Sequence, residues 1–562
     1  MTPDELSDAI RAALARLVVD GSPLGSIPQS VVVERPKSRE HGDYATNVAL
    51  VSAKAAGLRP RDLADLLATE LARTPGIAAV EVAGPGFVNI RLDASAQGEV
   101  ARTIVTSAGS YGTGATLAGR RINVEFISAN PTGPLHLGHT RWAAVGDAIA
   151  RVLEAAGADV IREFYINDRG VQMDKFAASV MAVAHGRPVP EDGYHGGYIA
   201  DLAAEVVAEQ PGILQLPERE QHAAFRESAY RLQLAQQQRV LELFRTHFDV
   251  WSSELELYRS GKVRRSIRAL RAQGNVYVKD GATWLRTSAH GDDKDRVLVK
   301  RSGSRRWWGW WRREHTYFAA DTAYYLDKRA RGFDILIYLL GADHHGYIGR
   351  LRALAACAGD NPDETLEILI GQMVKMLKDG EEVKLSKRAG TIVTLEELIE
   401  EVGVDAARYT LIRHPVDSPM TLDLDLISQA SSDNPVFYVQ YAHARISGVL
   451  RNAGQLGIDW QSGDFDPALL DHEKENDLLG MLAEYPRIVA TAAELREPHR
   501  IPRYLEDLAT SYHRFYDLCR VLPRGDEELE PIHIARLWLC GATRQVLSNG
   551  LGLCGVEAPE RM

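Results

Sequence analysis

The sequence contains few cysteines and no long apolar run, and both absences narrow the class of protein. Its 562 residues include four cysteines, and none forms a Cys-x-x-Cys pair. Neither a disulfide framework nor a zinc ribbon is therefore predicted. No segment approaches the roughly 18 apolar residues that cross a bilayer, and the acidic opening Met1–Leu6 lacks the apolar region of a signal peptide. We expect a soluble, cytoplasmic protein with no membrane partner.

The sequence also lacks an excess of positive charge. Its formal net charge of −11 argues against DNA as a partner and against indiscriminate binding of polyanions. A specific RNA is still compatible, because RNA recognition also uses shape and base contacts. The length predicts about three to four domains.

The most informative stretch runs from Val124 to Gly157. It is predicted to form a strand over Arg121–Ser128 and, after a Pro- and Gly-rich turn, a helix over Leu135–Ala156. His136 and His139 are three residues apart at the first turn of this helix. That spacing puts both imidazoles on one face, beside free N–H groups that favour a phosphate. Gly138 between them lets a flat ring approach the backbone.

A second motif, Lys384-Leu-Ser-Lys-Arg388, follows a turn-like acidic segment. Lys384 and Lys387 flank Ser386 in a short loop, where two ammonium groups can contact the β- and γ-phosphates of a nucleotide. The α-phosphate of that nucleotide would lie over the two histidines. Both motifs together predict a site for a nucleotide with three phosphates.

The two motifs resemble the signatures of class I aminoacyl-tRNA synthetases. Further segments, spread over nearly the whole chain, resemble bacterial arginyl-tRNA synthetases: 125–133, 164–172, 317–321, 340–347, 434–445 and 558–562. The resemblance implies an arginine–tRNA ligase that joins L-arginine to tRNA(Arg) through an arginyl-adenylate. Its substrates would be arginine, tRNA(Arg) and ATP, with Mg²⁺ accompanying ATP and without a dedicated protein metal site. We expect it to act as a monomer.

Two other functions share this scaffold. One is a synthetase-like paralogue that confers resistance to an arginine-mimicking inhibitor or diverts arginyl-tRNA to another pathway. The other is a tRNA-binding regulator without catalysis, which has no evident need for both histidines and both lysines.

The predicted fold class is multidomain α/β. Residues 1–112 are expected to form a small α+β domain that binds tRNA. Residues 113–428 are expected to form a doubly wound, Rossmann-type catalytic domain with a connective insertion of polar helices at about 180–300. Residues 429–562 are expected to form an all-helical domain, which the resemblance implies to be the anticodon-binding domain.

Local patterns predict three elements within residues 1–112. Thr2–Glu5 has the spacing of a capping box that starts a helix, and Ser30–Arg35 and Val80–Leu92 are predicted strands.

The resemblance also assigns residues to arginine: Ser128, Asn130, His139, Tyr317, Asp321 and His344. Asp321 is the candidate for the guanidinium, because a carboxylate can bind that planar group in a bidentate manner. Tyr317 lies four residues earlier and would share a helical face with it. His344 stands where some relatives have glutamine. Although Asp343 and His345 adjoin it, no metal site is predicted.

The proposed tRNA contacts lie in the first helix of the C-terminal domain: Tyr438, Gln440, Tyr441, His443 and Arg445. Aromatic and arginine side chains can stack on unpaired loop bases. The segment Glu40–Asn47 resembles the part of the family that contacts the tRNA elbow. Two features depart from the family: Trp142 replaces a small residue, and 304–313 is an insertion with four tryptophans and four arginines. We expect this insertion to form a hairpin turning near Gly309.

Overall fold

The computed structural model describes residues 1–19, 28, 31–36, 38–301, 314–383, 393–462 and 464–562. Lys384, Ser386, Lys387 and the insertion 304–313 lie outside these ranges, so the predictions made for them stay predictions. All four cysteines are buried and none is in a disulfide. Within the described ranges, no helix is both long and apolar enough to span a membrane.

The strands of the described residues are numbered in chain order. They are β1 Val33–Glu34, β2 Tyr44–Thr46, β3 Ile77–Ala83, β4 Phe87–Leu92, β5 Arg121–Glu125, β6 Asp159–Ile166, β7 Val250–Ser253, β8 Val276–Lys279, β9 Ala282–Leu285, β10 Arg296–Lys300, β11 Glu314–His315, β12 Ile335–Gly341, β13 Leu366–Gly371, β14 Val374–Lys378, β15 Glu381–Glu382 and β16 Met420–Asp423.

The α-helices of the same residues are numbered likewise. They are α1 Pro3–Val19, α2 Val48–Ala56, α3 Pro60–Leu71, α4 Ala94–Ser107, α5 Leu137–Ala155, α6 Val171–Ala184, α7 Gly197–Glu209, α8 Glu218–Leu243, α9 Glu254–Arg259, α10 Lys262–Ala272, α11 Tyr317–Ala330, α12 Ile348–Cys357, α13 Pro362–Thr365, α14 Leu395–Val402, α15 Val404–Ile412, α16 Leu424–Ile427, α17 Pro435–Gln455, α18 Glu473–Leu495, α19 Arg500–Leu518 and α20 Pro531–Leu553.

The chain divides into two compact units. One contains 1–114, 435–495 and 500–562, and the other contains 115–434 and 496–499. The division into domains at 112/113 and 428/429 stays a prediction. The fold class is confirmed: the chain has a parallel α/β sheet with helices, a small α+β N-terminal part and a helical C-terminal part.

The first unit joins the two ends of the chain. Its antiparallel sheet has the strand order β1-β2-β4-β3 and covers helices that bury Leu6, Ile10 and Leu14. Thr2 and Glu5 exchange backbone-to-side-chain hydrogen bonds of 2.7 and 3.3 Å, which is the capping box expected at the start of α1. Helix α4 packs against α18 and α20, and Tyr111 donates to the Leu482 carbonyl at 3.0 Å.

Two elements of this unit differ from the pattern-based expectation. The sequence predicts a single strand over 80–92, but the chain forms a hairpin of β3 and β4, because Gly84 and Gly86 adopt φ values of 53° and 142° that permit a tight turn. The strand expected over 30–35 is reduced to the two residues of β1.

The second unit is built on a five-stranded, fully parallel sheet with the strand order β13-β12-β5-β6-β7. Helix α5 connects β5 to β6 on one side, whereas β12 lies on the other side of β5. The connections therefore diverge between β5 and β12. Open α/β sheets bind ligands outside the carboxyl ends of the strands at such a point.

The segment 180–300 contains more than the polar helices expected from its composition. Strand β7 is an edge strand of the parallel sheet, and β8, β9 and β10 belong to a separate antiparallel sheet with β11. Both features depend on pairing with distant segments, which a local pattern does not reveal.

Candidate active site

The two halves of the site follow the two strands that flank the point of divergence. The loop and helix start at 126–139 follow β5, and 342–347 follow β12. Glu125, the last residue of β5, pairs with Tyr338 of β12. Residues from both loops therefore meet at the same edge of the sheet.

His136 and His139 lie at the start of α5 as predicted. His136 is the N-cap, and its Nδ1 accepts from the Gly138 N–H at 3.2 Å. The backbone N–H of His136 points to Nδ1 of His139 at 3.4 Å, and the two ring centroids are 3.9 Å apart. The pair is thus held as a unit at the positive end of a 19-residue helix, which favours an anionic ligand.

The segment that resumes after the lysine motif is attached to this same helix start. The Leu137 N–H donates to the Val393 carbonyl at 3.1 Å, and the Leu395 N–H donates to the Leu135 carbonyl at 2.8 Å. These bonds form an antiparallel bridge between His136 and Thr394. The histidine motif is therefore fixed to Val393–Leu395, the first described residues after Lys384 and Lys387 in sequence.

The turn after β5 contains two residues with unusual backbone angles. Ile127 has a φ of 67° and Ser128 a φ of 46°, and the Ser128 N–H donates to the Phe126 carbonyl at 2.9 Å. Positive φ is rare for a β-branched residue and costs about 1–3 kcal/mol. Such strain, when it persists, is concentrated at functional sites.

This turn fixes the Ser128 side chain. Its hydroxyl donates to Oε1 of Glu125 at 3.0 Å and accepts from the Tyr165 N–H at 3.1 Å. Asn130, two residues later, is exposed and donates to Gln172 at 3.0 Å. Ser128 is therefore part of a rigid arrangement, whereas Asn130 faces solvent.

Tyr317 and Asp321 share a face of α11, as the four-residue spacing predicts. Tyr317 is 65% exposed at the first turn, and Asp321 is half-buried and accepts a hydrogen bond from the Tyr347 hydroxyl. Burial raises the pKa of Asp321 to about 6, although the bond from Tyr347 and the charge of Arg350 lower it. The carboxylate is therefore incompletely neutralised by its surroundings.

Glu254, the first residue of α9, is an acidic residue that the sequence analysis missed. It is 2% exposed, and no donor among the described residues reaches its Oε1 within hydrogen-bond distance. The nearest cation is Arg169, whose Nη1 lies 3.9 Å away. Burial and the charge of Asp321 raise the pKa of Glu254 to about 7. The sequence gives no signal for it, because its neighbour Asp321 is 67 positions further along the chain.

His344 lies in the turn after β12 and is exposed. The side chains of the adjacent Asp343 and His345 lie outside the described part. Elsewhere in the described chain, no group of three or more His, Cys, Asp or Glu side chains is arranged to hold a metal ion.

Trp142 is buried under the end of β13. A Cβ atom on Gly371 would lie 2.3 Å from the Trp142 ring, so the absence of a side chain at 371 makes room for the indole. The neighbouring Arg141 is also buried and donates to the carbonyls of Gln372, Pro415 and Ser418 at 2.8–3.0 Å. The helix that starts with the histidine pair is thus anchored beside the strand edge.

The five proposed tRNA contacts on α17 separate into two groups. Gln440 and His443 are buried and bond to the carbonyls of Glu557 and Pro559 at 2.9 and 2.8 Å, so they hold the C-terminal segment. Tyr438, Tyr441 and Arg445 form the other group.

This second group belongs to an aromatic and basic cluster with α19. Tyr441 is 44% exposed, and its ring lies 6.1 Å from that of His513. The guanidinium of Arg445 lies 4.3 Å above the Tyr516 ring, and Tyr438 is hydrogen-bonded to Thr510 at 3.1 Å.

Comparison with known proteins gives the following matches. Three family models match: the arginyl tRNA synthetase N terminal domain over 4–92, the catalytic domain of class I (R) tRNA synthetases over 102–191, and the DALR anticodon binding domain over 439–562. An arginine–tRNA ligase of Frankia alni is 56% identical over the full length of both chains.

Solved structures agree with these matches. A putative arginyl-tRNA synthetase from Campylobacter jejuni has 31% identity and a TM-score of 0.74, covering 84% of this chain and all of the other. The Thermus thermophilus arginyl-tRNA synthetase has 24% identity and a TM-score of 0.75, with both chains fully covered. At 24% identity, the similarity to the Thermus thermophilus protein shows the fold alone.

Proposed function

This chain belongs to the arginyl-tRNA synthetase family and attaches arginine to tRNA with ATP as a substrate, and we propose which of its residues perform each part of that reaction. The arginine carboxylate attacks the α-phosphate of ATP in line and expels pyrophosphate. A ribose hydroxyl of the terminal adenosine of tRNA, the 2′-hydroxyl in class I enzymes, then attacks the carbonyl carbon of arginyl-adenylate, and AMP leaves as the ester forms. Positioning and electrostatic stabilisation supply most of the rate, so no side chain needs to become a covalent nucleophile.

The observation that carries the proposal is a pair of incompletely neutralised carboxylates. Asp321 and Glu254 have raised pKa values, and the charge of the first contributes to the shift of the second. A permanently charged guanidinium between them supplies the missing positive charge and offers donors in a planar fork. The exposed ring of Tyr317 lies one turn before Asp321 and packs against the side chain of the arginine substrate. The second carboxylate adds Glu254 to the arginine residues identified from the sequence.

The opposite end of arginine is assigned to the loop after β5. Ser128 and Asn130 hold the α-amino and carboxylate groups together with His139, and His344 closes the pocket from the loop after β12. The rigid turn at Ser128 supports this assignment, because a fixed hydroxyl orients substrate at little entropic cost.

ATP is assigned to the start of α5 and to the lysine loop. His136, Gly138 and His139 lie against the α-phosphate, while Lys384, Ser386 and Lys387 contact the leaving pyrophosphate. Mg²⁺ accompanies the phosphates, mostly through water and phosphate oxygens. The bridge at Thr394 supports this assignment, since it fixes the end of the lysine loop to the histidine motif.

For tRNA, we propose that Tyr438, Tyr441 and Arg445 contact the anticodon loop. Gln440 and His443 act indirectly, by holding the C-terminal segment. The boundaries 1–112, 113–428 and 429–562, a monomeric state and a cytoplasmic location are also proposals, which limited proteolysis, light scattering and cell fractionation test. No observation favours a resistance paralogue, an arginyl-tRNA diverting enzyme or a non-catalytic regulator.

The direct test is ATP–pyrophosphate exchange with each amino acid separately, with and without tRNA(Arg). Among the amino acids, only arginine should support exchange. Exchange with arginine should be weak until tRNA is added. Glu254→Gln should raise the arginine KM, and Glu256→Gln, an exposed change on the same short helix, is the control. Exchange with lysine in place of arginine would contradict the proposal.

A further inference from the structure

A lysine with no exposed surface lies beneath the proposed arginine pocket. Lys328 of α11 is 0% exposed, and its Nζ lies 2.5 Å from Oε2 of Glu125. The same Nζ lies 4.5 and 4.2 Å from the ring centroids of Tyr324 and Tyr338, which stabilise its charge by cation–π interaction. A buried ammonium is costly to maintain, so this one is held by an ion pair and two aromatic faces.

The ion pair continues to Ser128. Glu125 uses Oε2 for Lys328 and Oε1 for the Ser128 hydroxyl, which lies 3.0 Å away. An ion-paired carboxylate accepts hydrogen bonds but has no proton to donate. The single hydroxyl proton of Ser128 must therefore point to Glu125.

This direction determines what Ser128 can offer to a ligand. A serine hydroxyl has one proton and two lone pairs. The proton goes to Glu125 and one lone pair receives the Tyr165 N–H at 3.1 Å. The remaining lone pair can accept from a ligand, and the hydroxyl has no further proton with which to bind a carboxylate. Ser128 is therefore suited to an ammonium group.

We propose that Lys328 is a positioning residue: through Glu125 it makes Ser128 an acceptor for the α-ammonium group of arginine. The inference rests on the proposed function, in which Ser128 lies at the amino end of the substrate. Lys328 thereby contributes to recognition of the amino end of the substrate, although it does not itself touch arginine. Lys328 lies 200 positions away from Ser128 in sequence, and the pairing of β5 with β12 and the packing of α11 bring the two together.

The test measures binding of two probes to the full chain by titration calorimetry at neutral pH. The probes are L-arginine and 5-guanidinopentanoate, which has the same guanidinium and carboxylate but no α-amino group. The wild-type protein should bind arginine more tightly. Lys328→Met should weaken arginine binding about 10- to 100-fold, as expected for a lost hydrogen bond to a charged group, and 5-guanidinopentanoate binding less than about twofold.

The control is Lys262→Met, which removes a lysine that pairs with Asp327 of α11 at 2.6 Å on the surface. It should change neither affinity. If Lys328→Met fails to fold, Lys328→Met combined with Glu125→Gln leaves no unpaired buried charge. That double variant should also lose the preference for arginine, because a glutamine amide can rotate and present either a donor or an acceptor to Ser128.

The binding results distinguish an error in the placement of Ser128 from an error in the role of Lys328. Equal affinity of the wild-type protein for both probes would refute the placement of Ser128 at the amino end, and the inference with it. A wild-type preference that survives in Lys328→Met or in the double variant would overturn the role of Lys328 alone. Equal weakening of both probes would show that Lys328 acts only through the general structure of the pocket, and would also overturn it.

Discussion

Replacing Glu254 by glutamine should stabilise the protein without arginine and weaken its binding of arginine. Burial and the charge of Asp321 raise the pKa of Glu254 from 4.5 to about 7. One pKa unit corresponds to about 1.4 kcal/mol, so the ionised side chain costs the folded protein about 3 kcal/mol. Glutamine has the same shape and does not ionise, so it removes this cost.

The sign of the effect depends on pH. The folded protein holds the Glu254 proton more tightly than the unfolded chain, so stability falls as pH rises from about 4.5 through about 7. The Glu254→Gln variant should therefore lie within about 1 kcal/mol of the wild type in stability at pH 5 and exceed it at pH 8 by up to about 3 kcal/mol. Scanning calorimetry of the protein without ligand should show a rise in Tm on the order of 5 °C at pH 8.

With arginine present, the stability advantage of the variant at pH 8 should shrink by about 1.4–2.7 kcal/mol. Loss of a charged partner should weaken arginine binding about 10- to 100-fold, so saturating arginine should stabilise the wild type more than the variant. The arginine KM of the wild type should also fall between pH 6 and pH 8, as Asp321 and Glu254 ionise. The exposed change Glu256→Gln should have none of these effects. A variant that is less stable at pH 8, or that keeps the wild-type arginine KM, would refute the reasoning.

Three further predictions test other parts of the protein. Asp321→Asn should chiefly raise the arginine KM, whereas Lys387→Ala should chiefly lower kcat by about a hundred- to thousand-fold; equal effects on both constants would contradict the assignment. Gly371→Ala should destabilise the protein by about 1–3 kcal/mol, because its Cβ would meet the Trp142 ring, and adding Trp142→Ala should restore part of the loss in a double-mutant cycle. Tyr441→Ala should raise the tRNA KM about 5- to 100-fold and leave the arginine KM at saturating tRNA unchanged.

Sequence patterns located the parts of the fold and site that depend on short spacing. The pair His136 and His139, and the pair Tyr317 and Asp321, are three and four residues apart, so helical periodicity alone puts each pair on one face. The start of α1 followed from a capping box, and the parallel sheet followed from buried strands alternating with helices. The resemblance to a family supplied the identity of the ligands.

The other features of the fold and of the candidate site depend on pairing between distant segments. Strand β7 joins the sheet only beside β6, and its end leads directly into Glu254 of the proposed pocket. Gln440 and His443 occupy the same helix as Tyr441, and only the position of the C-terminal segment shows that they face inward. No local pattern contains this information, because burial is decided by whichever element packs opposite.

Under the proposed assignment, opposite kinds of buried charge serve the two ends of arginine. At the guanidinium end, Glu254 and Asp321 are left without a full complement of cations, so the folded protein carries a cost that the substrate removes. At the amino end, Glu125 is fully paired by Lys328 and Ser128, so its charge is already neutralised and it acts through the direction of a hydroxyl group. A ligand with only a guanidinium should therefore gain the first interaction and lose the second. We therefore expect the proposed pocket to discriminate arginine from other guanidines through Glu125 and Ser128, and from lysine through Glu254 and Asp321.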